Sequence, residues 1–280
     1  MTAAPLTVSS LHIYPVKSCA GIALDKAEVL PRGLQHDRRW MVVDASGRFI
    51  TQRDYPRMAL IAVELTATGL RLHAPEAGSV DVVVPLGSRV PVSVWKSDLT
   101  LPVADDGVNA WLSAFLGQPC RLVHLPDSMT RAVTSARRRD GDEVSLADGF
   151  PILVATMASL TNLNARLEKP LPMNRFRPNI VIEGAGAWEE DTWHEVQIGG
   201  VRLELMKPCT RCNLTQVEQA SGAEDGKEPI RTLRKFRFSQ AEAGVLFGVN
   251  ATPRSPGTIK QGDVLEILSR QPAPELLLRA

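Results

Sequence analysis

The sequence predicts a mainly β protein with a few helices. Short runs of alternating apolar and polar residues recur at close spacing along the N-terminal third of the chain. Such spacing is typical of a barrel or a sandwich and not of a sheet built from βαβ units. Helical spacing of apolar residues is confined to three short stretches. The sequence therefore predicts the α+β class, with strands as the main elements.

The predicted strands begin near the N-terminus. Residues 6–14 alternate as an early strand would, and residues 27–30 form a second run before a turn at Pro31 and Gly33. Residues 41–43 and 49–52 are predicted to form a hairpin around an Asp-Ala-Ser-Gly-Arg turn. Further short strands are predicted at residues 59–65, 70–73, 80–84 and 92–95.

Three helices are predicted from apolar residues three or four positions apart. The first helix carries such residues between Val108 and Leu116, with acidic residues before it and Gly117 after it. The second is marked by Leu160, with apolar partners at positions 163 and 167. The third is predicted to begin at Pro229, because proline is favoured in the first turn of a helix.

The C-terminal half is again rich in predicted strands, at residues 177–182, 193–198, 201–205 and 263–268. Two stretches before them interrupt the pattern, the Gly-Gln-Pro break at 117–119 and the polar stretch at 134–143. We place a domain boundary between the two, near residue 125. The predicted domains are therefore residues 1–125 and residues 126–280.

Residues 207–215 concentrate reactive side chains at the end of a predicted strand. Proline cannot donate a hydrogen bond to a strand ladder, so the strand is expected to stop at Pro208 and the chain to turn. Cys209 and Cys212 would then lie on a loop, beside two cations that favour the thiolate. Residues 213–217 are expected to form the next strand.

Spacing alone leaves the role of these cysteines open. A closed zinc site needs four ligands, and Cys19 and Cys120 are far away in the sequence. A redox dithiol needs a helix N-terminus in a thioredoxin-like setting, which the following predicted strand does not offer. Two unreactive cysteines in a loop are the simplest interpretation.

Four cations are predicted to lie at strand ends or turns, as the two cysteines are. Lys17, Arg38, Arg177 and Arg211 each lie at a predicted strand end or turn, beside hydroxyl, amide or glycine residues. For any single cation, a solvated surface charge is the simpler interpretation. Several cations beside a thiol would instead suit an anionic ligand with a soft metal, because thiolates bind soft metals and arginine forks match phosphate. A molybdenum cofactor has both properties, an oxo-metal held by sulfur and a phosphate tail.

These motifs together resemble a known family. Three segments are similar to the N-terminal β-barrel domain that accompanies MOSC domains: Tyr14-Pro15-Val16-Lys17-Ser18, Asp37-Arg38-Arg39-Trp40 and Thr51-Gln52-Arg53. Four more resemble the MOSC domain, named for the C-terminal domain of molybdenum cofactor sulfurase: Asp148-Gly149-Phe150-Pro151, Ala158-Ser159-Leu160, Arg175-Phe176-Arg177-Pro178-Asn179 and Cys209-Thr210-Arg211-Cys212. The chain is similar to the amidoxime-reducing components and their bacterial counterparts. The resemblance implies an N-terminal β-barrel-like domain followed by a MOSC β-barrel domain.

The resemblance also implies a function and a site. It implies a molybdenum-cofactor-dependent enzyme that reduces N-hydroxylated compounds, such as amidoximes and N-hydroxylated bases. Cys212 would bind molybdenum, at a site between the two domains. The residues that would hold the cofactor are Lys17, Ser18, Arg38, Asp148, Gly149, Arg177, Asn179, Thr210, Arg211 and Asn250. Cys209 would either support that site or serve only in packing.

The remaining expectations concern location, partners and an alternative function. The chain carries no charged side chain before Lys17 and no sustained apolar core there, so we expect no secretory signal and a cytoplasmic location. A formal net charge of +1 predicts no nucleic-acid partner and no membrane partner. No dinucleotide fingerprint, P-loop or iron–sulfur cysteine set is visible, so we expect a separate electron donor, ferredoxin-like or cytochrome b5-like. The alternative function is a sulfur or molybdenum-cofactor carrier that uses a persulfide on Cys212.

Overall fold

A computed structural model describes residues 5–278, and strands dominate it. The strands before residue 125 are β1 (Thr7–Ile13), β2 (Ile22–Leu24), β3 (Lys26–Leu30), β4 (Gly33–Leu34), β5 (Trp40–Asp44), β6 (Ala62–Thr66), β7 (Gly69–Ala74), β8 (Gly78–Val83), β9 (Arg89–Val94), β10 (Ser97–Pro102) and β11 (Cys120–His124). The later strands are β12 (Ile152–Thr156), β13 (Ile180–Glu183), β14 (Trp193–Ile198), β15 (Val201–Arg211), β16 (Val217–Glu218), β17 (Ala223–Glu224), β18 (Phe238–Ser239), β19 (Gly244–Pro253), β20 (Gly257–Lys260) and β21 (Leu265–Arg270). The predicted mainly β class is confirmed.

The described residues form three α-helices, α1 (Asp106–Leu116), α2 (Met157–Asn164) and α3 (Ile230–Phe236). Local sequence determines the ends of α1. The carboxylate of Asp105 accepts a hydrogen bond from the backbone N–H of Val108, and Gly117 adopts the left-handed conformation that ends many helices. All three predicted helices are confirmed, although α2 ends three residues before Leu167. Short 3-10 helices cover Pro56–Leu60, Met173–Arg175, Glu189–Thr192 and Asn213–Gln216.

Most of the C-terminal strands join one nine-stranded sheet. Its order is β2-β1-β13-β12-β19-β15-β14-β21, and β18 adds to β19. β12 and β13 run parallel, while the other pairs are antiparallel. Backbone hydrogen bonds also connect β1 to the start of β21, from Val8 N–H to the Asp263 carbonyl and from Leu265 N–H to the Leu6 carbonyl. β1, the strand next to one end of the path, therefore lies beside β21 at the other end, around a largely aliphatic core that includes Trp193.

The other strands form small antiparallel sheets: β6-β7-β8, β9-β10, β5-β11, β16-β17 and β20-β3-β4. Helix α1 packs against β8 and β11 and contributes Val108, Leu112 and Phe115 to a second core. β1 and β3 belong to the N-terminal part of the sequence but pair with β13 and β20. The predicted boundary near residue 125 stays a prediction.

Two expectations for the cysteine stretch are wrong. β15 does not stop at Pro208 but continues to Arg211, with register shifts on both sides of the proline. β14 pairs with β15 only as far as Glu204, so the later part of β15 has one edge without a strand partner among the described residues. Edges and bulges are where a strand tolerates proline. The stretch after Cys212 is a 3-10 helix, closed by hydrogen bonds from Thr215 to the Cys212 carbonyl.

The predicted hairpin at residues 41–52 forms only in part. β5 is present, but its expected partner is reduced to a single bridge between Val43 and Phe49. Backbone N–H groups of Asp54 and Tyr55 bond to the Thr51 carbonyl, so a turn ends the pairing.

No helix among residues 5–278 combines the length and the apolar composition needed to cross a bilayer.

Candidate functional site

A cleft with about 850 Å³ of empty space, including its open mouth, lies where the ends of several elements meet. All eleven site residues expected from the sequence line it: Lys17, Ser18, Arg38, Asp148, Gly149, Arg177, Asn179, Thr210, Arg211, Cys212 and Asn250. The structure thus brings together residues that are up to 233 positions apart, although their roles stay a prediction.

Strained backbone is concentrated at this cavity. Eight non-glycine residues of the described chain have positive φ angles. Three of them, Ser18 (66°), Arg38 (47°) and Arg177 (55°), line the cavity. A left-handed conformation is costly for such side chains and persists where the surrounding contacts enforce it, often at functional sites. Here it directs two guanidinium groups and one hydroxyl residue to the same space.

Two arginines that line the cavity pack on the ring of one tyrosine. The guanidinium carbons of Arg38 and Arg177 lie 4.3 and 4.1 Å from the centre of the Tyr14 ring. The Tyr14 hydroxyl donates to the Pro178 carbonyl at 3.1 Å, and burial raises the pKa of Tyr14 to about 12. Burial lowers the pKa of Arg177 to about 10, so this guanidinium remains charged at neutral pH.

Polar contacts fix Arg38 further. Its Nη1 donates to both oxygens of Asp37, at 3.0 and 2.7 Å, and to Asn179 Oδ1 at 3.1 Å. Burial raises the pKa of Asp37, and the Arg38 charge opposes that rise. The Asn179 side chain in turn bonds to the His12 carbonyl and the Leu153 N–H, so it ties β1 to β12. These contacts orient Arg38 before any ligand arrives.

Lys17 and Asp148 form a second group at the cavity wall. The buried Lys17 ammonium donates to the Leu146 carbonyl at 3.0 Å and contacts Asp148 Oδ1. Burial lowers the pKa of Lys17, and Asp148 opposes this shift. Burial alone would raise the pKa of Asp148, but Lys17 outweighs it and holds that pKa well below its usual range. Since 68 % of the Asp148 side chain is exposed, the carboxylate remains accessible from the cavity.

The end of β15 supplies the sulfur. Arg211 Nη1 lies 3.0 Å from Cys209 Sγ, and its Nη2 donates to the Phe176 carbonyl at 2.8 Å. Cys209 is half-buried, whereas Cys212 is exposed at the cavity. Within residues 5–278 the Cys212 thiol has no hydrogen-bond partner, while its carbonyl is held by Thr215. The backbone is therefore anchored and the thiol is left open.

Open space at Gly149 and an excess of positive charge both favour an anionic ligand in the cavity. A side chain at Gly149 would meet no atom within 4 Å, so packing does not require a glycine there and the backbone is open to close approach. The cavity is lined by five cations, Lys17, Arg38, Arg53, Arg177 and Arg211, and by one carboxylate. Asp37, behind Arg38, adds a second carboxylate, which leaves three positive charges in excess.

The same lining limits what kind of metal site is possible. No group of three or more His, Cys, Asp or Glu residues in the described chain is placed to hold a metal ion. Cys19 and Cys120 are buried elsewhere, so a closed zinc site of four protein ligands does not form. An exposed thiol beside excess positive charge fits a metal whose other ligands belong to an anionic cofactor.

Several residues that shape the site were missed by the sequence analysis. Tyr14 and Asp37 lie within the recognised motifs but were given no role, and their closeness in sequence to Lys17 and Arg38 was the available signal. Arg131 donates to the Ser145 and Ala147 carbonyls at 2.8 and 2.7 Å and shapes the loop of Asp148. It gave no signal, because its contacts depend on how the chain folds back.

Two domain families match this chain. Residues 5–119 match the MOSC N-terminal beta barrel domain, and residues 141–266 match the MOSC domain. The chain therefore contains a MOSC domain preceded by the N-terminal domain that accompanies it.

Curated relatives narrow the family. Mitochondrial amidoxime-reducing component 1 of Mus musculus is 38 % identical over 283 residues, which cover 94 % of this chain and 83 % of the relative. The Homo sapiens protein of that name is 36 % identical with the same coverage. Mitochondrial amidoxime reducing component 2 of Rattus norvegicus is 36 % identical and covers 92 % and 82 %. The chain belongs to the family of the amidoxime-reducing components, as the resemblance implied.

Proposed function

We propose that this protein is a molybdenum-cofactor-dependent reductase of N-hydroxylated compounds, such as amidoximes and N-hydroxylated bases. One observation carries the proposal: the exposed Cys212 thiol lies in a cavity whose lining has five cations and one carboxylate. The relatives named above are amidoxime-reducing components, which supports the choice of substrate class.

In this proposal the cofactor lies in the cavity, between the two predicted domains. Cys212 is the molybdenum ligand, and the phosphate tail is held by Lys17, Arg38 and Arg177. Further polar contacts come from Ser18, Asp148, Gly149, Asn179, Thr210, Arg211 and Asn250. Charge-assisted hydrogen bonds from arginine and lysine are strong and geometrically selective for phosphate. The bound group would supply a metal centre that passes two electrons to the substrate.

The reaction fixes what the protein must receive from outside. An amidoxime takes up two electrons and two protons, its N–O bond breaks, and an amidine and water are released. We propose that a separate redox protein, ferredoxin-like or cytochrome b5-like, delivers the electrons. No nucleic-acid or membrane partner is part of the proposal, and a cytoplasmic location stays a prediction.

The test replaces the proposed ligand sulfur. Cys212→Ser exchanges sulfur for oxygen with little change in volume, and we expect normal folding with loss of molybdenum-centred activity. The matched control is Cys209→Ser, at which we expect a milder loss. Molybdenum content, pterin content and benzamidoxime reduction are measured on protein from a cofactor-competent host. Wild-type turnover by Cys212→Ser would refute the assignment of Cys212 as the molybdenum ligand. An equal loss in both variants would mean that the ligand was assigned to the wrong one of the two sulfurs.

A second measurement tests the electron source. The purified protein is expected to be inert with a reduced nicotinamide alone and active with a chemical reductant or a redox protein. Steady turnover with nicotinamide alone, in a preparation free of other redox proteins, would contradict the need for a separate donor.

A sulfur or cofactor carrier is the second candidate. It is favoured by the exposure of Cys212, since an open thiol can form a persulfide and reach a partner. A transferable persulfide on Cys212 without stable molybdenum would support the carrier. Tight cofactor retention with catalytic N–O reduction would support the reductase.

A further inference from the structure

One tryptophan of the chain is placed unlike the other four. Trp95 lies in the turn between β9 and β10, and 48 % of it is exposed. Trp40 and Trp193 are buried, and Trp111 and Trp188 are partly covered. A large aromatic surface in water forgoes the free energy that its burial would yield. Packing of the fold therefore does not explain why this turn carries a tryptophan.

The backbone of Trp95 adds a second unusual feature. Its φ angle is +54°, in the left-handed region that favours glycine and asparagine. A bulky residue in this conformation costs stability and persists where its contacts enforce it. Trp95 is thus a fourth left-handed residue in this part of the molecule, after Ser18, Arg38 and Arg177.

Trp95 is not itself a lining residue, but its contacts hold the indole against two residues that are. Its Nε1 donates to Asp148 Oδ1 at 2.9 Å, and Asp148 lines the cavity. The Arg53 guanidinium, also in the lining, lies 5.4 Å from the indole centre. The Phe49 ring packs at 5.3 Å with a tilt of 47°. The indole is therefore held by two lining residues and one aromatic ring, and about half of the Trp95 residue is exposed.

We propose that Trp95 is a stacking subsite for the planar ring of an aromatic or heteroaromatic N-hydroxylated substrate. The proposal rests on the proposed reductase function and names the substrate class for the same cavity. A flat π surface beside the cavity binds rings with little dependence on their substituents. Benzamidoxime carries such a ring next to the N-hydroxylated group, so it is the probe for this subsite.

The substitutions distinguish the contribution of the aromatic ring from that of the left-handed backbone of the turn. Trp95→Asn removes the ring and keeps a residue that tolerates the left-handed conformation. Trp95→Phe keeps an aromatic ring and removes the donor to Asp148. Leu86→Asn is the matched control, because Leu86 is 93 % exposed and does not line the cavity.

The readout is a ratio that cancels effects on the reacting centre. Benzamidoxime and acetamidoxime carry the same reactive group, and only the first has a ring. For Trp95→Asn the ratio of their kcat/KM values is expected to fall about five- to tenfold, mainly through KM for benzamidoxime. Trp95→Phe should lower the ratio much less, and Leu86→Asn should match the wild type. An unchanged ratio in Trp95→Asn would overturn the subsite.

A purely structural role for Trp95 predicts a different result. The Nε1 bond to Asp148 would then matter most, so both substrates would lose activity equally and Tm would fall in both Trp95 variants. That pattern, too, overturns the subsite, while the reductase function stands.

Direct binding keeps the subsite testable without turnover. Benzamidoxime is titrated into the wild type and into Trp95→Phe, and tryptophan fluorescence is recorded. Quenching in the wild type and its loss in Trp95→Phe would support the subsite, even if the protein reduced no amidoxime and the proposed function failed. Equal quenching in both proteins, or quenching in neither, would contradict it.

Discussion

Two groups of charged side chains differ in how their charges are matched. The paired cluster consists of Arg139, Asp142, Glu204 and Arg254, two cations and two carboxylates in mutual contact. Arg254 contacts both Asp142 and Glu204, and the Arg254 Nε–Glu204 Oε2 distance is 2.6 Å. Its charges are satisfied within the protein, which leaves none for a ligand.

The charged residues around the cavity, here called the cavity cluster, are also arginine, lysine and aspartate, but their charges are not matched. Its cations are Lys17, Arg38, Arg53, Arg177 and Arg211, and they outnumber Asp148 and Asp37 by three. Nη2 of Arg177 and Nε of Arg211 are buried without a partner in the described chain. Buried donors are normally satisfied. Matched charges therefore indicate a structural role, and unmatched donors around open space indicate a binding role.

Removing Arg254 from the paired cluster should cause the largest loss of stability among the variants considered. Arg254→Ala leaves two largely buried carboxylates with reduced compensation, so we expect the free energy of unfolding to fall by about 3–5 kcal/mol. Denaturant unfolding measures this change. Molybdenum per folded molecule should stay at the wild-type value, since the cluster does not line the cavity.

The control for this variant is Arg71→Ala, which removes an ion pair with Asp81 at the surface. Exposed pairs contribute little to stability, so the control should unfold close to the wild type. Equal destabilisation of both variants, or loss of metal in Arg254→Ala, would erase the distinction between the two clusters.

The next effect concerns retention of the cofactor. Each charge-assisted bond to a phosphate is worth roughly 1.5–3 kcal/mol, so Arg38→Ala and Arg177→Ala should weaken pterin retention by about one to two decades. Arg177→Lys keeps a charge but loses the planar fork, and it should also weaken retention. Pterin release from purified protein is measured, with Arg71→Ala as the control. Unchanged pterin content in the first two variants would mean that Arg38 and Arg177 do not bind the cofactor.

Local sequence was enough to predict some of the fold. Helix α1 was predicted with both ends because Asp105 caps its first turn and Gly117 leaves the helix in a left-handed conformation. The continuation of β15 through Pro208 was not predictable. It depends on β14 stopping at Glu204 and on β19 pairing as far as Arg211, which are contacts between distant segments.

The candidate site shows the same division. Its predicted residues were found through motifs with a family resemblance, and most of them lie at strand ends or turns that the fold brings together, while Asn250 lies within β19. Trp95 and Arg131 had no such motif. Trp95 reaches Asp148 across 53 positions of sequence, and Arg131 contacts the loop before Asp148 only after the chain has folded back. Residues that complete a site from a separate hairpin leave no pattern in a single sequence.

A third group of charges differs from both clusters, because it has one carboxylate in excess and its three side chains are buried. Glu190 is fully buried beside Asp191, and Arg237 pairs with Asp191. Thr156 and Ser159 donate to Glu190 Oε2 at 3.0 and 2.8 Å. Burial, and then the charge of Asp191, raises the pKa of Glu190 to about 7. Protonation of Glu190 therefore removes the excess negative charge of this group, whereas the excess positive charge of the cavity cluster would be neutralised by a bound anion.

The sign of the resulting pH effect follows from linkage. The pKa of Glu190 is higher in the folded than in the unfolded protein, so its contribution to stability is complete below about pH 4.5 and is lost as pH rises through about 7. Glu190→Gln cannot ionise. Its stability relative to the wild type should therefore increase by roughly 2.5 kcal/mol between pH 5 and pH 9. Denaturant unfolding at the two pH values measures this difference, and a pH-independent difference would contradict a raised pKa.

The smallest expected effect is the response of cofactor-free protein to inorganic phosphate. Unmatched cations at the cavity repel one another, and an anion that binds only the folded state stabilises it in proportion to the logarithm of its concentration. We expect phosphate to raise Tm by about 2 °C, which corresponds to about 1 kcal/mol for a chain of this size. Sodium chloride at equal ionic strength is the control, because it screens charge without matching an arginine fork. The response should vanish in Arg177→Ala and persist in Arg71→Ala. A phosphate effect that survives in Arg177→Ala would place the anion elsewhere and remove the contrast between the matched and unmatched clusters.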